Sequence, residues 1–244
     1  MARYACSDLH GRYDLAEKIL AALKPSDELY FLGDAIDRGH RSWDTLQLLL
    51  NDPRVTFMCG NHEDFLVKLY DGNPKETIYI DHYAYHRWEV REVWDYNGGW
   101  EMMEKCDDVR ERDPEVLHAL IETIKNARDQ IIFTNDKGKQ IVLTHAGYTP
   151  GRRKPTKDSQ IWDRQHLRNS WPKDEAFKDT IMIHGHTPIQ YIDPTRISDD
   201  GPIYYADGHK IDIDLGSVFY GWTTLLDLDT LDNITIEGDH KYDI

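Results

Sequence analysis

The sequence lacks the features of a secreted or membrane-spanning protein. No apolar run approaches the roughly 18 residues that a membrane helix requires, and residues 1–6 contain no hydrophobic stretch like that of a signal peptide. The cysteines, Cys6, Cys59 and Cys106, form an odd and sparse set, which argues against a disulfide-stabilised scaffold. These absences predict a cytoplasmic protein with reduced, buried thiols and no membrane partner.

Linker-like segments are also missing. There is no Ser/Gly-rich run, no proline tract, no low-complexity block and no repeat at a fixed period. A chain of 244 residues is long enough to bury one substantial core. We therefore expect a single domain over residues 1–244, with a helical insertion at about residues 64–128.

Basic side chains are scarce relative to acidic ones. The chain has 29 Lys and Arg residues against 44 Asp and Glu residues, so its formal net charge is −15 at pH 7. Such a field repels polyanions within a Debye length, which is about 8 Å at physiological salt. Extended nucleic acid is therefore excluded as a partner, whereas a small phosphate ester is compatible if the site carries positive charge of its own.

Short apolar runs alternate with amphipathic stretches at the start of the chain. They predict a βαβαβ pattern with strands at 3–6, 28–32 and 55–58 and helices at 14–23 and 42–50, the second capped by Ser42. Parallel strands of this kind have their ligand sites beyond the carboxyl ends of the strands. The following residues, 63–128, are mostly helical in pattern and rich in aromatics, which either pack on one another or form a lid over the site.

Strand patterns return in the second half of the chain. Strands are predicted at 130–133, 140–144 and 180–183, followed by a β-meander over 189–236. Parallel strands followed by hairpins predict two mixed sheets packed face to face. The expected fold is therefore a mixed α/β, four-layer αββα sandwich, with helices flanking both sheets.

Polar side chains follow five of the predicted strands. They are Asp8 and His10, then Asp34, Asn61, His145 and His186. Carboxylate, amide and imidazole without cysteine suit Mn, Fe or Zn, of which we favour Mn²⁺. Two divalent ions about 3.5–4 Å apart, with Asp34 as the candidate bridge, would lower the pKa of bound water from 15.7 toward about 7. The resulting hydroxide would attack phosphorus directly.

Other residues of the same segments suit the remaining steps of phosphate-ester hydrolysis. His62 is a candidate general acid, and Asp37 could hold its other ring nitrogen and so fix the tautomer. The planar guanidinium groups of Arg38 and Arg164 are candidates for binding phosphate oxygens. Asn61 is a further candidate for phosphate binding.

These clusters resemble the signature motifs of the calcineurin-like metallophosphoesterases. The motifs are Asp8-Leu9-His10-Gly11, Gly33-Asp34-Ala35-Ile36-Asp37-Arg38-Gly39 and Gly60-Asn61-His62-Glu63. The Asp-Arg-Gly ending of the second motif is typical of the phosphoprotein phosphatase branch. Further matches resemble bacterial and phage serine/threonine phosphatases: Asn97-Gly98-Gly99-Trp100, Ile161-Trp162-Asp163-Arg164, Gly185-His186-Thr187-Pro188 and Ile213-Asp214-Leu215-Gly216-Ser217-Val218.

The resemblance implies a specific distribution of ligands between the two ions. One ion is implied at Asp8, His10 and Asp34, and the second at Asp34, Asn61, His145 and His186. The choice of His186 over His184 rests on its position before Thr187-Pro188.

The pattern leaves three functions to compare. The first is a phosphatase acting on phosphomonoesters, with phosphoserine or phosphothreonine in proteins as the preferred substrate. The second is hydrolysis of dinucleoside tetraphosphates, whose enzymes share much of the same motif pattern. The third, from another class, is a phosphate-binding module without catalysis.

Overall fold

The structure is a computed structural model that describes residues 1–71, 77–80, 83–151 and 156–239. Its strands are β1 (Arg3–Cys6), β2 (Glu28–Phe31), β3 (Val55–Phe57), β4 (Ile78–Ile80), β5 (Tyr83–Tyr85), β6 (Gln130–Thr134), β7 (Gln140–Thr144), β8 (Thr180–His184), β9 (Ile203–Tyr205), β10 (Lys210–Asp212), β11 (Trp222–Asp227) and β12 (Asn233–Glu237). Its α-helices are α1 (Tyr13–Ala22), α2 (Ser42–Asn51), α3 (Asn61–Tyr70), α4 (Arg87–Tyr96), α5 (Trp100–Arg112), α6 (Pro114–Lys125), α7 (Lys157–Ile161), α8 (Ile189–Ile192) and α9 (Ser217–Tyr220). Short 3₁₀ helices cover Gln165–Arg168, Glu175–Phe177 and Ser198–Asp200.

The first sheet has the strand order β12-β11-β1-β2-β3. Strands β1, β2 and β3 run parallel, and their last residues align because Cys6 pairs with Phe31 and Phe31 with Phe57. This confirms the predicted βαβαβ opening. The loops that leave the three strands therefore emerge side by side at one edge of the sheet.

The second sheet has the order β6-β7-β8-β10-β9, and its central strands β7, β8 and β10 are parallel. An apolar cluster that includes Ala5 and Leu226 from the first sheet and Ile183 from the second lies between the two sheets. A separate cluster joins the outer face of the first sheet to helices α1, α2 and α3. The 3₁₀ helix Gln165–Arg168 lies against the second sheet, where the ring of His166 packs on that of His184 from β8. The predicted sandwich of two mixed sheets flanked by helices is therefore confirmed.

The predicted β-meander at the end of the chain is wrong. Strands β9 and β10 join the second sheet, whereas β11 crosses to the first sheet and pairs with β1. Strand β11 joins the first sheet because both of its faces are buried there. Leu225 belongs to the cluster that contacts helices α1, α2 and α3, and Leu226 belongs to the cluster between the sheets. A strand that is apolar on both faces is best buried inside a sheet.

The aromatic segment after β3 has two kinds of aromatic residue. A short antiparallel hairpin, β4–β5, interrupts the predicted run of helices. Trp94 is fully buried, whereas Tyr96 is 92% exposed and Trp88 63% exposed. Packing therefore accounts for Trp94 but not for the other two side chains.

Among the described residues, no helix combines the length and the apolar character that crossing a bilayer would require.

Candidate metal centre

The candidate site lies where the loops that follow the parallel strands of both sheets meet. Asp8 and His10 follow β1, and Asp34 follows β2. Asn61 and His62 form the first turn of helix α3, directly after β3. His145 and His186 follow β7 and β8 of the second sheet, and all of these side chains are buried.

Asp34 is at the centre of the cluster. Its Oδ2 atom lies 3.4 Å from His145 Nε2, 3.7 Å from His10 Nε2 and 3.9 Å from His62 Nε2. Two groups of residues have ligand atoms within 4.8 Å of one another, namely His10, Asp34 and His62, and Asp34, His145 and His186. Asp34 is common to both groups, as a bridging ligand would be.

The remaining predicted ligands lie beside these groups. Asp8 Oδ1 is 4.0 Å from His10 Nε2, and both carboxylate oxygens of Asp8 accept the backbone N–H of His186. Asn61 Oδ1 is 3.0 Å from His145 Nε2. The structure thus brings together every side chain that the sequence predicted as a metal ligand.

The histidine rings are oriented as metal ligands are. The Nδ1 atoms of His10 and His145 lie 2.9 Å from the carbonyl oxygens of Ile36 and Leu32 respectively. Because Nδ1–H donates to a carbonyl, Nε2 retains the lone pair that a cation binds. Neither ring nitrogen of His186 has a hydrogen-bond partner within the described part of the chain, although both are buried. These residues fit a pair of divalent ions.

Burial and mutual repulsion make ionisation of the carboxylates unfavourable when no cation lies beside them. Burial, opposed by His145 and reinforced by the neighbouring Asp34, raises the pKa of Asp8 to about 6. Burial opposes ionisation of Asp34 too, but His145 and His62 hold its pKa well below the usual value. Burial lowers the pKa of His145, but Asp34 and Asp8 outweigh that effect and raise it to about 9. The cluster therefore retains positive charge at its centre, as protons or as metal ions.

Backbone strain is concentrated in this site. Positive φ angles between 47° and 74° occur at Asp8, His10, Asp34, Asp37, Arg38 and His186. A left-handed conformation at a non-glycine residue costs about 1–3 kcal/mol, and such residues cluster at functional sites. The surrounding fold therefore stabilises these strained backbone conformations, which direct the side chains toward one point.

Glu63 positions Asp34, a role that sequence reasoning did not assign. Its buried carboxylate accepts the backbone N–H groups of Asp34 and Ala35, each at 2.8 Å, and that of Gly60 at 2.9 Å. In the sequence, Glu63 was only the last residue of the third motif, Gly60-Asn61-His62-Glu63. Glu63 is the third residue of helix α3, a position from which a Glu side chain commonly caps the backbone N–H before the helix. This position is the sequence signal from which the role could have been predicted.

His62 and Asp37 form a hydrogen-bonded pair at the edge of the cluster. His62 Nδ1 lies 2.5 Å from Asp37 Oδ2, and Trp94 Nε1 donates to the same oxygen at 2.5 Å.

Ser42 is not the helix cap that the sequence predicted. Its hydroxyl accepts the Asp37 N–H at 2.8 Å and donates to the Gly39 carbonyl, because the tight loop places those groups beside it.

The predicted phosphate-binding arginines lie on two sides of the site. Arg38 Nη1 donates to His10 Nε2 at 2.6 Å, and Nη2 donates to His62 Nε2 at 3.0 Å. Arg164 Nε donates to Thr187 Oγ1 at 3.1 Å, directly beside His186. Both guanidinium groups therefore border the cluster.

His184 is not part of the cluster. Its Nε2 lies 2.7 Å from the Tyr205 hydroxyl, and its ring packs edge-on against His166 with centroids 4.7 Å apart. Burial lowers the pKa of His184 to about 4. His184 is the last residue of β8, and its side chain lies on the outer face of the second sheet, away from the site.

Replacing Gly60 by Ala is expected to lower metal affinity by about 10–100-fold, because an added Cβ would lie 2.1 Å from Asp34 Oδ1. The φ of Gly60 is −94°, so the change acts through this collision rather than through backbone strain. Isothermal titration with Mn²⁺ measures the effect. Gly208→Ala is the control for a strained glycine replacement away from the site: its φ is +82°, but no described atom beyond its chain neighbours lies within 4 Å of the added Cβ. Equal affinities in both variants would contradict the prediction.

Comparison with known proteins identifies the family. The family model for calcineurin-like phosphoesterases matches residues 1–221. Serine/threonine-protein phosphatase 2 of Salmonella typhimurium is 32% identical over 177 residues, covering 68% of this chain and 70% of the relative. The symmetrical bis(5'-nucleosyl)-tetraphosphatase of Dechloromonas aromatica is 37% identical over 79 residues, which cover 31% of this chain and 29% of that protein.

Solved structures share the fold. A putative diadenosine tetraphosphatase aligns with a TM-score of 0.58 at 15% identity, covering 97% of this chain and 93% of the other. A Saccharomyces cerevisiae protein serine/threonine phosphatase aligns at 0.56 and 15% identity, covering 100% and 82%. The serine/threonine-protein phosphatase of Salmonella typhimurium, at 32% identity, confirms the resemblance to the phosphoprotein phosphatase branch. The chain therefore belongs to the calcineurin-like phosphoesterase family and is a metallophosphoesterase, a hydrolase with phosphatase activity.

Proposed function

We propose that the protein removes phosphate from phosphoserine and phosphothreonine side chains of proteins. The observation that carries the proposal is the His62–Asp37 pair beside the two residue groups that share Asp34. A proton donor next to a dinuclear centre is what cleavage of a poor alkoxide leaving group needs. The Salmonella typhimurium relative, a serine/threonine-protein phosphatase, supports the same substrate class.

The proposed ligands of the first ion are Asp8, His10 and Asp34, and those of the second are Asp34, Asn61, His145 and His186. The mixed oxygen and nitrogen donor set suits Mn²⁺, with Fe or Zn as alternatives. When bound, such ions supply positive charge for the phosphoryl oxygens and make water a stronger acid.

The side chains around the ions have separate proposed roles. When Arg38 turns from His62 Nε2 to a phosphate oxygen, Nε2 would carry a proton and deliver it to the leaving-group oxygen, while Asp37 accepts from Nδ1 and fixes the ring. Trp94 holds Asp37 through the same oxygen and so orients the pair. Arg38, Arg164 and Asn61 are the proposed contacts to phosphate oxygens.

A second candidate is hydrolysis of dinucleoside tetraphosphates. The Dechloromonas aromatica relative has this activity in its name, and an exposed aromatic ring favours it further. Phe219 is 43% exposed, and its ring centroid lies 5.9 Å from the Arg38 guanidinium carbon. A nucleobase could stack on that ring while Arg38 contacts phosphate.

An assay with Mn²⁺ and two substrates separates the candidates. We expect a higher kcat/KM for phosphate release from a phosphoserine peptide than for ADP release from diadenosine tetraphosphate. The opposite order would favour the second candidate. Phosphate binding without turnover of either substrate or of p-nitrophenyl phosphate would favour the non-catalytic module.

We also place the protein in the cytoplasm. Cys6, Cys59 and Cys106 are buried and free of disulfides. Burial raises the pKa of the Cys6 thiol to about 12, so this group stays protonated and unreactive. Reduced, buried thiols suit a reducing compartment.

A further inference from the structure

A groove leads away from the candidate metal centre on the side of the second sheet. It encloses about 760 Å³ and is lined in part by Trp162, Arg164, Arg168, Thr187 and Tyr191. Two contacts join it to the site. Arg164 is hydrogen-bonded to Thr187, the residue after His186, and the ring of Trp162 lies 6.1 Å from the ring of His186. A substrate with its phosphate at the metals can therefore extend into the groove.

The groove carries a cation that the candidate chemistry does not use. Arg168 is exposed, and no carboxylate within residues 1–71, 77–80, 83–151 and 156–239 forms an ion pair with it. Asp163 is the acidic residue of the lining, but its Oδ1 already accepts the backbone N–H of Gln165 at 2.7 Å. In a chain with a net charge of −15, an exposed arginine in a groove that borders the site favours an anionic ligand group.

The spacing of the two arginines indicates where that anionic group lies. Arg164 precedes the 3₁₀ helix Gln165–Arg168, and Arg168 is its last residue. At about 2 Å of rise per residue, their Cα atoms are separated by about 8 Å. An extended peptide advances about 3.3 Å per residue, so two or three residues cover this distance.

We propose that the groove binds the polypeptide of a phosphoprotein substrate, and that Arg168 pairs with an acidic side chain two or three residues from the phosphorylated one. Tyr191, which is 80% exposed, supplies an aromatic surface for the intervening peptide. The inference rests on the proposed protein phosphatase activity and adds a substrate preference to it.

The test compares matched phosphoserine peptides on the manganese-loaded protein. One set carries a single Asp two or three residues before or after phosphoserine, and the other carries Asn at the same position. We expect one Asp peptide to have a KM about 2–5-fold lower than its Asn partner, as an exposed ion pair allows. The kcat should be similar, because the contact is equally strong in ground state and transition state.

Arg168→Gln should remove this preference, and the four combinations of enzyme and peptide form a double-mutant cycle. Lys173→Gln is the matched control, since Lys173 is exposed and lies outside the groove lining. The preference should also weaken with added salt.

Two results would overturn the inference in different ways. If Arg168→Gln retains the preference of the unmodified protein, or if Lys173→Gln loses it equally, the groove has no such role and the proposed function stands. If the unmodified protein hydrolyses diadenosine tetraphosphate but none of the peptides, the proposed function fails and the inference fails with it.

Discussion

Replacing His62 by Asn is expected to lower kcat by about 10²–10⁴-fold while metal content is unchanged. Asn cannot deliver a proton to the leaving group, although it keeps a polar side chain at the start of helix α3. The loss should be larger for a phosphoserine peptide than for p-nitrophenyl phosphate. Nitrophenolate leaves readily without protonation, whereas the serine alkoxide does not. Steady-state kinetics with both substrates measure this difference.

Metal analysis of the same variant separates two roles for His62. Its Nε2 lies 3.9 Å from Asp34 Oδ2, and it belongs to one of the two groups that could hold an ion. Loss of metal in His62→Asn would therefore identify it as a ligand and contradict the general-acid role. His118→Asn is the matched control, because His118 is an exposed histidine on helix α6 and should affect neither property.

Removing the metals is expected to lower the melting temperature by about 5–10 °C. Ions present at 100 times their Kd stabilise a fold by about 2.7 kcal/mol, and 1 kcal/mol shifts Tm by about 2–4 °C in a protein of this size. The physical reason is the set of buried carboxylates. Asp8 and Asp34 face the same small volume, and burial already raises the pKa of Asp8 to about 6. Differential scanning fluorimetry before and after chelation measures the shift.

Asp34→Asn provides the control for this experiment. Asp34 is common to both residue groups, so its replacement should abolish tight binding of both ions. The Tm of this variant should not respond to the chelator. An unchanged Tm of the unmodified protein, with metal loss verified by elemental analysis, would contradict the prediction.

The candidate ligands could be identified from sequence because each follows a strand with a recognisable pattern. Asp8, Asp34 and Asn61 follow strands β1, β2 and β3, whose carboxyl ends meet at one edge. That edge is a consequence of parallel pairing, which the helical crossovers between the strands make possible. The position of these residues was therefore predictable before any contact was known.

The residues that hold the ligands in place could not be identified in the same way. Trp94 contacts Asp37 from 57 residues away, and its partner depends on how helix α4 packs. The three backbone groups that Glu63 binds are brought together by the turn after β2 and the start of α3. Such contacts have no sequence spacing of their own, because they connect separately folded elements.

The sequence by itself determined the parallel opening of the first sheet, the order of the ligands along the chain and the chemistry of their side chains. These features depend on periodicity and residue type within short windows, where helix and strand patterns differ. Only the tertiary structure decided that β11 crosses to pair with β1, and that a groove with Arg168 on its wall borders the site. Both depend on how whole sheets bury their faces against each other, which local patterns do not specify.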